Sequence, residues 1–304
     1  MRLISYIFLS LQFSLALQAS DILIVSHYSG LAEYLEHTIP NHQNYAQHNG
    51  YGYIFREGIL SDRFRNEGHK NNALATGAYW QKIVALREAL DEINPATGNP
   101  YEWVMWVDAD VVFSNIDRKL ETVINEYAKP NTNLLIAPDH FMLDMFGAFG
   151  LCAVNTGVFI LRNSLWSREF LSAVEESFEK YKNTNLPDQT AIGEILGGFD
   201  NSKKLTRLEK VALVKQNPNV VVVPQRALNP MWVGSFTTPT ESVWQGGDLA
   251  VHFLGPKAFK SAIPTFLDCL KNDLSGKNCE WSKLGGLYYE LKAAWEMIFG
   301  ERSY

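Results

Sequence analysis

Residues 103–113, WVMWVDADVVF, form an apolar run interrupted by two carboxylates one residue apart. Trp103 to Val107 are all apolar, the pattern of a strand covered on both faces, as in a parallel sheet. In an extended chain residues i and i+2 point to the same side, so Asp108 and Asp110 are expected to face one spot. Carboxylates that close repel each other and raise at least one pKa unless a cation lies between them. A solvated turn at the end of a strand also accounts for a lone Asp-x-Asp. What the chain brings beside the pair decides between the two.

Working outward from this stretch, strand-like and helix-like segments alternate. DILIVS (21–26) reads as a first core strand, and LAEYLEHTIPNHQNYAQH (31–48) as a helix interrupted near Pro40 and stopped by Asn49-Gly50. YGYIFRE (51–57) is the next strand. ATGAYWQKIVALREALDEI (75–93) puts Ile83, Leu86, Leu90 and Ile93 on one helical face, with Pro95 marking its end. After the acidic strand come a helix around 117–128 and the strand NLLIAP (133–138). VNTGVFILR (154–162) alternates as a strand. SLWSREFLSAVEESFEKY (164–181) follows as a helix with Ser164 as its N-cap. NVVVVP (219–224) and LAVHFLG (249–255) are late strands, and from Ala258 the chain reads as helical. This rhythm predicts an α/β fold with a mostly parallel sheet flanked by helices. In such sheets ligands bind outside the carboxyl ends of the strands, where Asp108 and Asp110 stand.

The 304 residues suit one large α/β domain or two small ones, with no linker to divide them, and 46% hydrophobic with 20% charged residues describe a globular protein with a full core. The net charge of −6 and the lack of a Lys/Arg cluster argue against a nucleic-acid-binding surface. An anionic substrate would then need a metal or a few placed cations. Residues 1–20 have one Arg, an apolar stretch from Ile4 to Leu17 and small residues before Asp21. That is the layout of a secretory signal peptide, with a short signal anchor as the alternative. Either one sends the chain to a Golgi-type lumen, a periplasm or the outside, membrane-anchored if the segment stays on. Of the three cysteines, Cys269 and Cys279 could close a small loop, leaving Cys152 free. No Asn-x-Ser/Thr sequon occurs.

Other groups could share the acidic site. VHFLGPK (251–257) ends an apolar strand on His252, followed by Gly255 and Lys257. An imidazole beside two carboxylates suits Mn²⁺, or Mg²⁺ with more oxygen ligands. A satisfied core histidine is the plain reading of His252. Asn155, in NTGVF (155–159), sits at a strand mouth and also fits a simple turn. Asp188 and Gln189, in LPDQTAI (186–192), fall where a helix begins and also fit an N-cap.

The order and spacing of NHQNYAQHNGY (41–51), YWQKIVALREAL (79–90), WVMWVDADVVFSN (103–115), NTGVFILRNSLWS (155–167), PDQTAI (187–192) and VHFLGPK (251–257) resemble glycosyltransferase family 34. These are galactosyl-, mannosyl- and xylosyltransferases of fungi and plants. The likeness covers roughly residues 22 to 257, with Pro256 where plant members usually carry a cysteine and without the long stem of Golgi members. It implies a GT-A fold over 21–257 with a helical extension over 258–304. By the same likeness Asp108, Asp110 and His252 hold Mn²⁺ (or Mg²⁺) on a nucleotide-diphospho-sugar. Lys82, Asp108, Gly255 and Lys257 contact the donor, and Asn155, Asp188 and Gln189 line the donor sugar and its reacting face. The activity implied is transfer of a hexose or pentose, with retention, to a hydroxyl of a glycan or glycoconjugate. Retention leaves two routes, attack from the face of departure or Asp188 as nucleophile. Trp232, Phe236 and Trp244 are candidates to stack on acceptor rings, and core packing explains them equally. A metal-dependent nucleotide-sugar hydrolase and a non-catalytic carbohydrate-binding protein on the same fold are the alternatives.

Overall fold

The computed structural model describes residues 20–30, 32–67, 69–139, 152–184, 186–200, 205–232, 240–254, 257–273 and 279. Its strands are β1 (Ile22–Tyr28), β2 (Gly52–Glu57), β3 (Trp103–Val107), β4 (Val111–Phe113), β5 (Leu134–Pro138), β6 (Val154–Arg162), β7 (Val220–Val222) and β8 (Ala250–His252). Six of them form one sheet in the order β2-β1-β3-β6-β5-β7, and β4 pairs with β8 in a separate two-stranded sheet. β1 runs parallel to β2 and β3, and β5 to β7, while β6 is antiparallel to both β3 and β5. The longer helices are α1 (Leu35–Asn49), α2 (Ala78–Ala89), α3 (Leu120–Tyr127), α4 (Leu165–Glu176), α5 (Pro187–Gly197), α6 (Arg207–Val214) and α7 (Ile263–Asn272).

The apolar run of β3 is covered on both faces, as its sequence predicts. Val104 and Trp106 pack with Ile83 and Leu86 of α2, Phe170 and Leu171 of α4 and Ile192 of α5. Trp103, Met105 and Val107 point the other way, onto Tyr45 and Ala46 of α1 and Leu120 and Val123 of α3. Each such fully buried side chain contributes about 2 kcal/mol, so both faces need their helices. A third cluster lies beneath β4 and β8, where Val112, Val251 and Phe253 meet Trp232, Trp244 and Ile263 and Phe266 of α7. Cys269 on α7 is bonded to Cys279, as the sequence suggested, and Cys152 is free and buried.

Three expectations change. Pro40 does not interrupt α1: it lacks only the N–H that would reach the carbonyl of Glu36, and both residues are exposed. Ile93 is not part of the α2 face, because the helix stops at Leu90 and leaves Ile93 52% exposed. LAVHFLG is not a strand of the main sheet, since β8 crosses over to pair antiparallel with β4. Trp232 and Trp244 are core residues, 1% and 3% exposed, so they offer no ring to an acceptor, and Phe236 lies outside the described residues. Of the helical tail expected from Ala258, a turn at Lys257–Lys260 and α7 are described. Most of residues 1–20 also lies outside the described residues, and no described helix is long and apolar enough to cross a membrane.

Because β6 is antiparallel, the carboxyl ends of β1, β3 and β5 and the amino end of β6 meet along one edge of the sheet. At that edge the β5–β6 register jumps from Ile136↔Phe159 to Ala137↔Asn155. The bulge frees Thr156 and Gly157 from β5 and turns their backbone toward the end of β3, a device common beside active sites.

Candidate active site

Asp108 follows β3 directly, and Asp110 precedes β4. The two do not share the face of a strand, as the sequence suggested. They are gathered by a turn closed by the Val111 N–H on the Asp108 carbonyl (3.1 Å). Antiparallel pairing of β8 with β4 sets His252 opposite Val111, and the Phe253 N–H donates to the Asp110 carbonyl (3.0 Å). His252 Nε2 thereby lies 3.1 Å from Asp110 Oδ1. Ligand atoms of Asp108, Asp110 and His252 all lie within 4.8 Å of one another.

That spacing fits a small divalent ion. Bonds of about 2.1 Å put neighbouring ligands about 3 Å apart and opposite ones about 4.2 Å apart. The donor set, two carboxylates and an imidazole, is one that Mn²⁺ accepts. Asn229, past β7, holds the ring from behind, its Oδ1 2.9 Å from His252 Nδ1. A carbonyl oxygen there accepts the Nδ1 proton and turns Nε2 toward the aspartates, where with an ion bound it would give its lone pair, the arrangement usual for ligating histidines. Gly157 makes room for the ring: a Cβ at that position would stand 2.2 Å from His252 Cε1 and 2.6 Å from Nδ1.

Cations balance the two aspartates unequally. Asp108 Oδ1 accepts from the indole of Trp106 (2.7 Å) and faces Lys82 Nζ at 3.2 Å. Burial nevertheless pushes its pKa above the usual carboxylate range, with Lys82 and His252 opposing and Asp110 adding to the rise. Burial also works against the ionised form of Asp110. Lys260, 2.9 Å from Oδ2, and His252 outweigh it and hold that carboxyl well below the usual range.

On the other side of Lys82, Asp188, Gln189 and Asn155 come together. Its buried ammonium donates to Asp188 Oδ2 (3.0 Å) and to the carbonyl of Thr156 (2.9 Å). Burial disfavours its charge, but Asp108 and Asp188 prevail and raise its pKa. Asp188 and Gln189 lie in the first turn of α5, where Leu186 and not a polar side chain is the N-cap, so capping does not explain them. Gln189 Oε1 accepts from the Thr156 N–H (3.1 Å), and its Nε2 donates to Asp139 Oδ2 (3.0 Å). Asn155 donates to Asp139 Oδ1 (3.3 Å) and accepts from Asn229 Nδ2 (2.6 Å). The chain of contacts Asp108–Lys82–Asp188–Thr156–Gln189–Asp139–Asn155–Asn229–His252–Asp110 is thus continuous. Lys257 opens the helical turn after β8, but its side chain and Gly255 lie outside the described residues.

Sequence reading missed Asp139, Asn229, Lys260 and the part played by Gly157. Asp139 carried the same signal as Asp108, a carboxylate directly after an apolar strand. Lys260 stands one helical turn beyond Lys257. Asn229 carries no local signal, because only the fold brings it to His252.

The profile of the galactosyl transferase GMA12/MNN10 family matches residues 17–262. The chain belongs to this family. The match bears out the resemblance to glycosyltransferase family 34. Among curated members, galactomannan galactosyltransferase 1 of Cyamopsis tetragonoloba is 31% identical over 163 residues, 47% of this chain and 34% of that protein. An uncharacterized alpha-1,2-galactosyltransferase of Schizosaccharomyces pombe is 24% identical over 259 residues, 78% of this chain and 60% of that protein. Probable glycosyltransferase 6 of Oryza sativa subsp. japonica is 37% identical over 106 residues, 34% of this chain and only 20% of its own length. The chain therefore spans a minor part of several of its relatives. Among solved structures, a glycosyltransferase involved in glycosylation of the major capsid of PBCV-1 superposes with a TM-score of 0.53 at 17% identity. It covers 80% of this chain and 98% of that one. The fold of this family member is GT-A, a mixed, mostly parallel sheet flanked by helices.

Proposed function

We propose that this chain is a metal-dependent, retaining glycosyltransferase. It would move a hexose or pentose from a nucleotide-diphospho-sugar to a hydroxyl of a glycan or glycoconjugate acceptor. The observation that carries this reading is the junction of an Asp–Asp–His donor set with a buried polar chain at the mouth of a GT-A sheet. Family relatives named as galactosyl- and xylosyltransferases support it.

In this reading Asp108, Asp110 and His252 hold Mn²⁺ or Mg²⁺. A divalent ion there supplies Lewis-acid stabilisation of the charge that grows on the diphosphate as the anomeric bond breaks. Lys82 neutralises Asp108 and Asp188 together and stands ready for the donor, and by the family likeness Gly255 and Lys257 would contact the diphosphate. Asn155, Asp188 and Gln189 line the donor sugar. Asp188 Oδ2 already accepts from Lys82 Nζ and Thr156 Oγ1 (3.2 Å), which draws electron density from a would-be nucleophile. That favours attack from the face of departure, with the leaving diphosphate taking the acceptor's proton. Gln189 is fixed at both ends of its amide and serves as a positioning group. The catalytic domain would be residues 21–257, with 258–304 as an extension that begins in α7, whose Ile263 and Phe266 pack beneath β8. An oxidising compartment, reached by the secretory route or by export, agrees with the Cys269–Cys279 bond. Residues 1–20 would be the signal or a short anchor, and through them alone would the protein touch a membrane.

The test is nucleotide release from a panel of uridine- and guanosine-diphospho-sugars, with Mn²⁺ or with chelator, beside Asp110→Asn and His252→Ala. Metal-dependent release from one donor, lost in both variants, is expected. Acceptor trials then separate transfer from hydrolysis. Release that persists in chelator, or no release at all, would contradict the proposal.

A further inference from the structure

Both oxygens of Asp110 are engaged within the protein. Oδ1 faces His252 Nε2 at 3.1 Å, and Oδ2 faces Lys260 Nζ at 2.9 Å. Lys260 reaches this point from the Lys257–Lys260 turn that follows β8. Its ammonium also lies 5.6 Å from the centre of the Tyr34 ring. The Asp110–Lys260 pair is mostly shielded, with side chains 12% and 26% exposed. Asp110 therefore keeps a cation of its own, whereas Asp108 shares Lys82 with Asp188. A divalent ion bound by Asp108, Asp110 and His252 would add its charge beside that ammonium. Like charges at that range repel strongly in a shielded site.

We propose that Lys260 is the resident counter-cation of the acidic pair: it competes with the divalent ion for Asp110 and is released to the diphosphate when ion and donor bind together. The inference rests on the metal-site reading above and deepens it by naming the residue that sets metal affinity. Lysine suits the task, because its compact charge rides on a flexible four-carbon stem. Release would couple the two ligands. The ion alone must break the Asp110–Lys260 pair, whereas ion and diphosphate together give Lys260 a new anion. Each ligand then raises the affinity for the other, by the same factor in both directions.

The experiment measures Mn²⁺ affinity of the full chain from the electron paramagnetic resonance signal of the free ion, with and without a nucleoside diphosphate. The variants are Lys260→Gln, Lys260→Met and Lys260→Arg, with Asp110→Asn and His252→Ala as references. Without nucleotide, Lys260→Gln and Lys260→Met are expected to bind Mn²⁺ about tenfold more tightly than wild type, a gain of about 1.4 kcal/mol. Lys260→Arg keeps the charge and should stay near wild type. The factor by which nucleotide tightens Mn²⁺ binding should shrink in the two neutral variants. If Lys260 merely anchors its turn, both neutral variants will bind Mn²⁺ equally or more weakly, and the proposal falls. Unaltered Mn²⁺ binding in Asp110→Asn and His252→Ala would instead remove its premise, the metal site, and so separates the two failures.

Discussion

Replacing Gly157 by alanine tests how tightly the site is built around His252. Its φ is not in the left-handed region, so the backbone tolerates a side chain and the cost is one of space alone. The new Cβ would stand 2.2 Å from His252 Cε1, 2.6 Å from Nδ1 and 3.1 Å from Asn155 Oδ1. The two ring distances fall about 1 Å inside ordinary contact, which begins near about 3.5 Å. The ring cannot slide away without leaving Asp110, Asn229 or both. Overpacking of this kind costs about 1–3 kcal/mol. Losing a buried hydrogen bond adds about 1–2 kcal/mol. At about 2 °C per kcal/mol for a chain of this size, a melting temperature lower by about 4–10 °C is expected. Mn²⁺ affinity should fall about 10- to 100-fold, the scale of losses when a ligand's support is disturbed. Gly193→Ala is the matched control: there the Cβ meets Ala153 Cβ at 3.5 Å, an ordinary contact inside a helix. That variant should melt at or slightly above the wild-type temperature. Thermal melts and calorimetric Mn²⁺ titrations read both effects. A Gly157→Ala protein that melts with wild type and binds Mn²⁺ with unchanged affinity would refute the packing described around His252.

Asn229→Ala removes the acceptor behind His252 Nδ1 and should weaken Mn²⁺ binding by about tenfold or more; a calorimetric titration with unchanged affinity would detach Asn229 from the site. His42 is fully buried between Ser26 and the Val111 carbonyl, and burial lowers its pKa from 6.5 to about 4. The unfolded chain then takes up the proton first, so stability is complete above about pH 6.5. It falls by up to about 3 kcal/mol as the pH drops to about 4. Urea midpoints of wild type and His42→Gln between pH 7 and 4 should converge toward acid, and parallel curves would exclude His42 as the cause. The Cys269–Cys279 bond spans a sequence separation of 10 and ties the end of α7 to the cluster beneath β8. Reduction should cost about 3 kcal/mol by loop entropy, and an unchanged melting temperature in reductant would contradict that.

Local patterns made most of the architecture legible. The run Trp103–Val107 and the alternation of Val154–Arg162 appear as β3 and β6 with the bounds their residues suggest, and Ser164 caps α4 through its Oγ. These features depend on period and on neighbours in sequence, which a linear reading can see. The direction and partner of β8 were not legible, because pairing with β4 joins residues about 140 apart and no local pattern encodes it. The same holds inside the site. Asp108, Asp110, His252, Lys82, Asn155, Asp188 and Gln189 were readable as chemistry-bearing types at strand ends and helix starts. The contacts that orient them pass through Asn229, Asp139 and Lys260, which reach their places only by long-range packing. Trp232 and Trp244 show the converse: aromatic residues in an irregular stretch suggest a sugar platform, yet they fill the core beneath β8.

Pulsed electron paramagnetic resonance of the protein with Mn²⁺ and a nucleoside diphosphate tests the proposed metal–donor site most directly. A nitrogen coupling from an imidazole and a phosphorus coupling from the diphosphate should appear on the same ion. His252→Ala should abolish the nitrogen coupling, and Asp110→Asn should abolish binding. Mn²⁺ that carries a phosphorus coupling but no imidazole nitrogen in the wild-type protein would mean that the ion sits elsewhere and that Asp108, Asp110 and His252 are not its ligands.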